Sequence, residues 1–86
     1  MAEKRNGLGY SVLMNQRVVI DQHICHGKPC IRGTRIMVSN ILSLLAGGYD
    51  MTRVLRNYPE LTDEDVKAAL EYAGEVVRDE EILLTV

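Results

Sequence analysis

Ser39-Asn40-Ile41-Leu42-Ser43-Leu44-Leu45-Ala46-Gly47-Gly48-Tyr49-Asp50 opens the stretch whose reading decides the fold, and the residues from Met51 to Val77 complete it. Ile41, Leu42, Leu44 and Leu45 make one apolar face at helical spacing. Ser39 is read as the cap of this first helix, its hydroxyl accepting a free N–H of the first turn. Gly47-Gly48 supplies the left-handed residue that ends it. Asp50 caps a second, short helix from Met51 to Asn57, with Val54 and Leu55 inward. Pro59 disfavours helix at Tyr58 and stops it. Thr62 caps a third and longer helix, with Asp65 three positions on completing a capping box. Val66, Ala69, Leu70, Ala73, Val76 and Val77 then follow helical spacing. A helix, a Gly turn, a short helix, a turn and a longer helix is the order of helix-turn-helix modules.

Upstream of Ser39 the pattern changes. Tyr10 to Met14 and Arg17 to Ile20 are β-prone and flank Asn15-Gln16, a candidate tight turn. Asp21 to Arg35 has no period of 3.6 or 2, so it reads as an ordered loop. The run from Arg35 to Val38 is a further strand candidate, placed to pair with Val18 to Ile20 in the same chain or in a second copy. The expected fold is therefore mainly α, a three-helix core with a short N-terminal β hairpin or arm. Residues 1–8 are expected to be disordered, 9–80 to form the single domain, and 81–86 to be an apolar C-terminal tail.

Composition bounds the function. The chain has 86 residues, 47% of them apolar, and neither Trp nor Phe. A core of Leu, Ile, Val, Ala and Met at this length is marginal, which points to a homodimer or higher homo-oligomer. The longest apolar stretch falls far short of the roughly 20 residues that span a membrane. The N-terminus carries no apolar run behind its basic residues, so no secretory signal is read and a cytoplasmic location is expected. Charge is uneven: residues 1–35 carry +4, residues 36–58 carry +1 and residues 59–86 carry −7. That asymmetry suggests a basic surface for an anionic partner and an acidic end for another, or simply a solvated surface.

Catalysis finds little support, and no enzyme activity and no small-molecule substrate are expected. A nucleophile and base would have to come from Cys25 or Cys30 with His23 or His26. A chain this short has little room to line the several hundred cubic ångströms, on the order of 300 Å³ or more, of an ordinary substrate pocket. The same four residues all belong to zinc-binding types. Their spacing is neither a Cys-x-x-Cys knuckle nor a finger, and no second pair exists, so no metal and no cofactor is expected.

The basic residues have two readings. Lys28, Arg32 and Arg35 lie within eight residues of a loop stiffened by Pro29. They suit a phosphate-gripping arm, or Arg32 and Arg35 pair with Glu64 or Glu71 and lock the loop to the core. Arg53 and Arg56, three apart, share a helix face and either extend the basic surface or face solvent. Asp63, Glu64 and Asp65 stand where a reading helix would meet DNA phosphates, and carboxylates there are repelled. If DNA is bound, the arm and the loop are the expected contacts, in a two-fold dimer.

His26-Gly27-Lys28-Pro29-Cys30-Ile31-Arg32-Gly33-Thr34-Arg35-Ile36, then Val38, Gly47-Gly48, the run Tyr58-Pro59-Glu60-Leu61-Thr62-Asp63-Glu64-Asp65 and the run Ala68-Ala69-Leu70-Glu71-Tyr72-Ala73 closely resemble a bacterial and archaeal family, domain of unknown function 433. The likeness covers Arg17 to Glu75. It implies a homeodomain-like helix-turn-helix fold and the role of an antitoxin of the VapB type, partnered by a PIN-like ribonuclease toxin and with operator DNA as a further partner. On that implication the C-terminal end covers the toxin through Ile82, Leu83 and Leu84, with Arg78 reaching its acidic metal site. Otherwise the end packs on its own domain or on a second copy, and the protein is a small dimeric structural or DNA-associated interaction module without a toxin.

Overall fold

The computed structural model describes residues 11–84, and side chains for residues 12–79. Three strands come first: β1 (Ser11–Leu13), β2 (Val18–Asp21) and β3 (Cys30–Ile31). Three helices follow: α1 (Val38–Ala46), α2 (Met51–Asn57) and α3 (Asp63–Leu84). The strands form one antiparallel sheet in the order β1-β2-β3, with Val12 opposite Ile20 and Val18 opposite Ile31.

The mainly α, three-helix expectation is corrected here. The fold is mixed α and β, and the sheet is part of the core. Val18 and Ile31 are 0% and 1% exposed, and they join Ile41, Val54, Leu61, Val66 and Ala69 in a single apolar cluster. Three helices this poor in aromatic residues, two of them of nine residues or fewer, leave one face of the cluster open, and the paired strands close it.

The β1–β2 turn is built within one chain. Asn15 Oδ1 accepts from the backbone N–H of Arg17 (2.9 Å) and of Val18 (2.8 Å), an Asx turn. Asn15 Nδ2 donates to the Ala68 carbonyl of α3 at 3.0 Å, which ties the hairpin to the helices.

Two expectations between Asp21 and Ser39 fail, for one reason. The third strand is Cys30–Ile31 rather than the run from Arg35 to Val38, and Ser39 does not cap α1. The chain reverses tightly after Ile31. Thr34 Oγ1 donates to the Ile31 carbonyl (2.8 Å) and accepts from the Ile36 N–H (3.0 Å), while the Ile31 N–H reaches the Ile36 carbonyl (3.0 Å). Gly33, at φ +84°, permits the reversal. Met37 keeps only an isolated bridge to Cys30, and α1 begins at Val38 with Met37 as its cap and no side-chain cap bond. The first helical N–H is satisfied instead by the Pro29 carbonyl, 3.0 Å from Val38 N.

The remaining helix ends follow their local residues. At the end of α1, Tyr49 N donates to Leu44 O and Gly48 N to Leu45 O, both at 3.0 Å, with Gly48 at φ +98°. This is the paired-bond glycine cap. Asp50 Oδ1 accepts from Arg53 N at 2.9 Å. Thr62 and Asp65 form the reciprocal box: Thr62 N donates to Asp65 Oδ2 (2.9 Å) and Asp65 N to Thr62 Oγ1 (3.3 Å).

Candidate functional site

Asp65 does more than cap α3. It is 7% exposed, and its Oδ1 takes the Arg17 Nη1 at 3.0 Å. One carboxylate thus fixes the start of α3 and fastens it to the hairpin. Of the two readings of the loop arginines, the one that pairs Arg32 and Arg35 with Glu64 or Glu71 finds no such ion pair among the described residues. Arg17 holds the loop side to α3, and it does so through the acid that also caps the helix. The capping box was readable from Thr62 and Asp65; a cation 48 positions away carries no local signal.

The basic residues are spread over several surroundings. Arg32 is exposed; its backbone N–H donates to the Arg17 carbonyl at 2.8 Å. Both arginines line one shallow concavity of about 220 Å³ with Leu13 and Gln16. Lys28 stands at the edge of a different groove. Arg35 is exposed, and its carbonyl accepts from Cys25 Sγ at 3.2 Å. The Arg53 guanidinium lies 4.1 Å from the Tyr49 ring centre, a cation–π contact on the α1–α2 side. Arg56 sits in the last turn of α2, where a cation suits the helix dipole.

The groove beside Lys28 is a mostly apolar concavity of about 440 Å³. Pro29, Leu42, Tyr72, Val76 and Val77 line it. Val76 and Val77 are 37% and 60% exposed, although their spacing along α3 continues the stripe of buried Val66 and Ala69 and half-buried Ala73. The helix outlasts the core. Its backbone runs on through Leu84, so residues 81–84 are the end of α3. Arg78 is exposed and lies back over Gly74. The side chains of Ile82, Leu83 and Leu84 fall outside the described residues, as does the expected disorder of residues 1–8.

The cysteine–histidine segment is a strained turn. Cys25, His26 and Gly27 all have positive φ, at +55°, +57° and +78°. Two of them bear side chains, a conformation that costs about 1–2 kcal/mol for each. Backbone bonds from Gly27 to Ile24 and from Lys28 to Cys25 hold it, with the Cys25 thiol on Arg35. Cys30 is fully buried below. Burial pushes its thiol up to about 11, and the neighbouring Cys25 sulfur and Asp21 add to the shift. Both thiols are free. Among the described residues no three His, Cys, Asp or Glu side chains gather as metal ligands would.

Fold and surface together define a small α/β domain with an apolar groove beside α3 and a concavity where the hairpin meets α3, lined by Arg17, Glu64, Lys67 and Glu71. No curated protein and no solved structure matches the chain. A family model does: the chain belongs to the family described as protein of unknown function, DUF433, matched over residues 18–73. The match runs from the first residue of β2 to the middle of α3. Among the described residues no helix is long and apolar enough to cross a membrane.

Proposed function

We propose that this protein is the antitoxin of a type II toxin–antitoxin pair, which neutralises a PIN-like ribonuclease by direct binding through the second half of α3. The observation that supports this reading is the exposed valine pair. Val76 and Val77 continue the core-facing stripe past the point where the domain covers it, beside an apolar groove. Helix in this position gains little by itself, since an isolated stretch shorter than about 12 residues is marginal in water. A partner that buries the stripe would supply the missing contact, in the manner of an amphipathic helix laid against an apolar surface. In this reading Arg78 presents its cation to the acidic centre of the ribonuclease, Ile82, Leu83 and Leu84 extend the apolar contact, and the chain carries out no chemistry of its own.

The test looks for a neighbouring reading frame that encodes a PIN-like ribonuclease and co-expresses the two, read by co-purification and by rescue of growth. Wild-type protein is expected to recover the ribonuclease and restore growth. Val77→Asp, at an exposed position that leaves the fold intact, is expected to weaken recovery by tenfold or more in order of magnitude. Failure of the wild-type chain to bind or rescue would overturn the reading and leave a small self-associating interaction module in its place.

A further inference from the structure

We infer that Cys25 and Cys30 form an oxidation site, at which a hydroperoxide closes a disulfide within one chain and clamps the segment that carries Lys28 and Pro29. The site uses neither the exposed valines of α3 nor the basic residues, and it does not rest on the ribonuclease reading.

The two thiols belong to different elements and are brought together by the turn between them. Cys25 opens the strained turn after β2, and Cys30 opens β3. The Cys25 carbonyl accepts from the Lys28 N–H at 3.0 Å, which bends the chain back on itself. Cys25 Sγ lies 3.2 Å from the Arg35 carbonyl, and Cys30 Sγ lies 3.9 Å from the carbonyl of Thr34, the residue just before it. Both sulfurs thus face one short stretch of backbone, where consecutive Cα atoms are roughly 3.8 Å apart. They are also close enough for the Cys25 sulfur to act on the Cys30 thiol as a hydrogen-bond partner. Both are free thiols, and the chain has no third cysteine.

Exposure assigns the order of events. Cys25 is half-buried and open to a small oxidant, whereas Cys30 is fully buried and holds its proton. The Cys25 sulfur attacks a peroxide oxygen and the O–O bond breaks. The products are the Cys25 sulfenic acid and an alcohol, or water when the oxidant is hydrogen peroxide. The Cys30 sulfur then displaces the hydroxyl from the Cys25 sulfur. An S–O bond breaks, the S–S bond forms, and the Cys30 proton leaves with the hydroxyl as water. Two thiols lose two electrons in all, and one peroxide is reduced. A buried thiol standing next to the sulfenic acid captures it before a second peroxide carries it on to sulfinic acid. The new bond brackets Lys28 and Pro29, which border the apolar groove, and the Pro29 carbonyl holds the first N–H of α1. Oxidation therefore fixes that wall of the groove, and a thiol reductant releases it.

The experiment treats the full-length chain with hydrogen peroxide in native buffer and reads it by mass spectrometry and on a non-reducing gel. Trypsin leaves both thiols in one peptide, Val18 to Arg32, because Pro29 protects the bond after Lys28. That peptide is expected to lose about 2 Da, the two hydrogens of a disulfide, and to regain them with dithiothreitol. The chain should stay monomer-sized on the gel. Cys25→Ser should leave Cys30 unoxidised and open to alkylation only in urea. Cys30→Val, which keeps an apolar side chain in the core, should leave Cys25 as sulfinic acid or as a disulfide between two chains. Amide hydrogen exchange over residues 25–30 should slow in the oxidised wild type. Sulfinic acid or a disulfide between chains in the wild type, without the internal bond, would overturn the proposal, as would two thiols that stay free. Oxidation of Cys30 in Cys25→Ser would overturn the order of events, and unchanged exchange in the disulfide form would overturn the clamp.

Discussion

In residues 38–84 every described helix joint after the start of α1 is finished by groups a few positions away; residues 11–37 turn locally at Asn15 and Thr34 but are fastened to the helices by groups from across the molecule. The glycine cap at Gly48, the Asp50 cap and the Thr62–Asp65 box span five residues or fewer. The strand half instead leans on Asn15 to Ala68, Arg17 to Asp65 and Val38 to the Pro29 carbonyl. The two halves nevertheless share one core, since Val18 and Ile31 are as deeply buried as Ile41 and Val54. A half with little local determination can still be an equal contributor to packing.

The most severe test of that equality is truncation on both sides. Ile31→Ala and Ile41→Ala are each expected to cost about 3 kcal/mol in urea unfolding, because each leaves a cavity in the same cluster. A cost below about 1 kcal/mol for Ile31→Ala alone would make the sheet an appendage of the helices.

The joint between the halves comes next. Asp65→Asn removes the charge that meets Arg17 and weakens the bond to the Thr62 N–H, so a loss of about 2 kcal/mol is expected. Asp50→Ala breaks only a local cap and should cost about 1 kcal/mol. Equal losses would mean that the link to the hairpin contributes nothing beyond capping.

The buried thiol gives the strand half a pH signature. Folding raises the Cys30 pKa from 9.0 to about 11, so the folded chain keeps a proton that the unfolded chain releases. Its contribution is intact below pH 9 and is lost as pH rises towards 11, by up to about 2 kcal/mol. Unfolding midpoints of the native chain and of Cys30→Val, compared at pH 8 and pH 11, check this: the advantage of the native thiol should shrink at the higher pH. Ser39→Ala has the smallest expected effect, within about 0.5 kcal/mol, because this exposed hydroxyl caps nothing. A loss of 1 kcal/mol or more, on the scale of about a full cap, would restore Ser39 as the cap.

The same division explains which parts were legible beforehand. All three helices, the glycine stop and two caps were readable because their signals are short-range and repeat with the helix. The hairpin turn at Asn15 was readable for the same reason. The third strand was not, since Cys30–Ile31 is only two residues long and carries no period. Its position is set by Gly33 and Thr34, which reverse the chain after it. Arg35 to Val38 has the stronger β composition, but the Pro29 carbonyl captures Val38 N and starts the helix there. Among the candidate site residues, Lys28, Arg32, Arg35, Arg53 and Arg56 were visible as cations, yet their grouping was not. Arg17, absent from that set, is the one placed beside Arg32.

The sequence by itself determined the helices, the end of α1, both ends of α2, the start of α3, the charge imbalance and the family motif, because each depends on residues near one another along the chain. Tertiary structure alone decided that the sheet completes the core, that Asp65 rather than Glu64 or Glu71 receives an arginine, and that Val76 and Val77 lie uncovered. Those outcomes depend on which distant surfaces meet, and burial of shared apolar area selects that meeting.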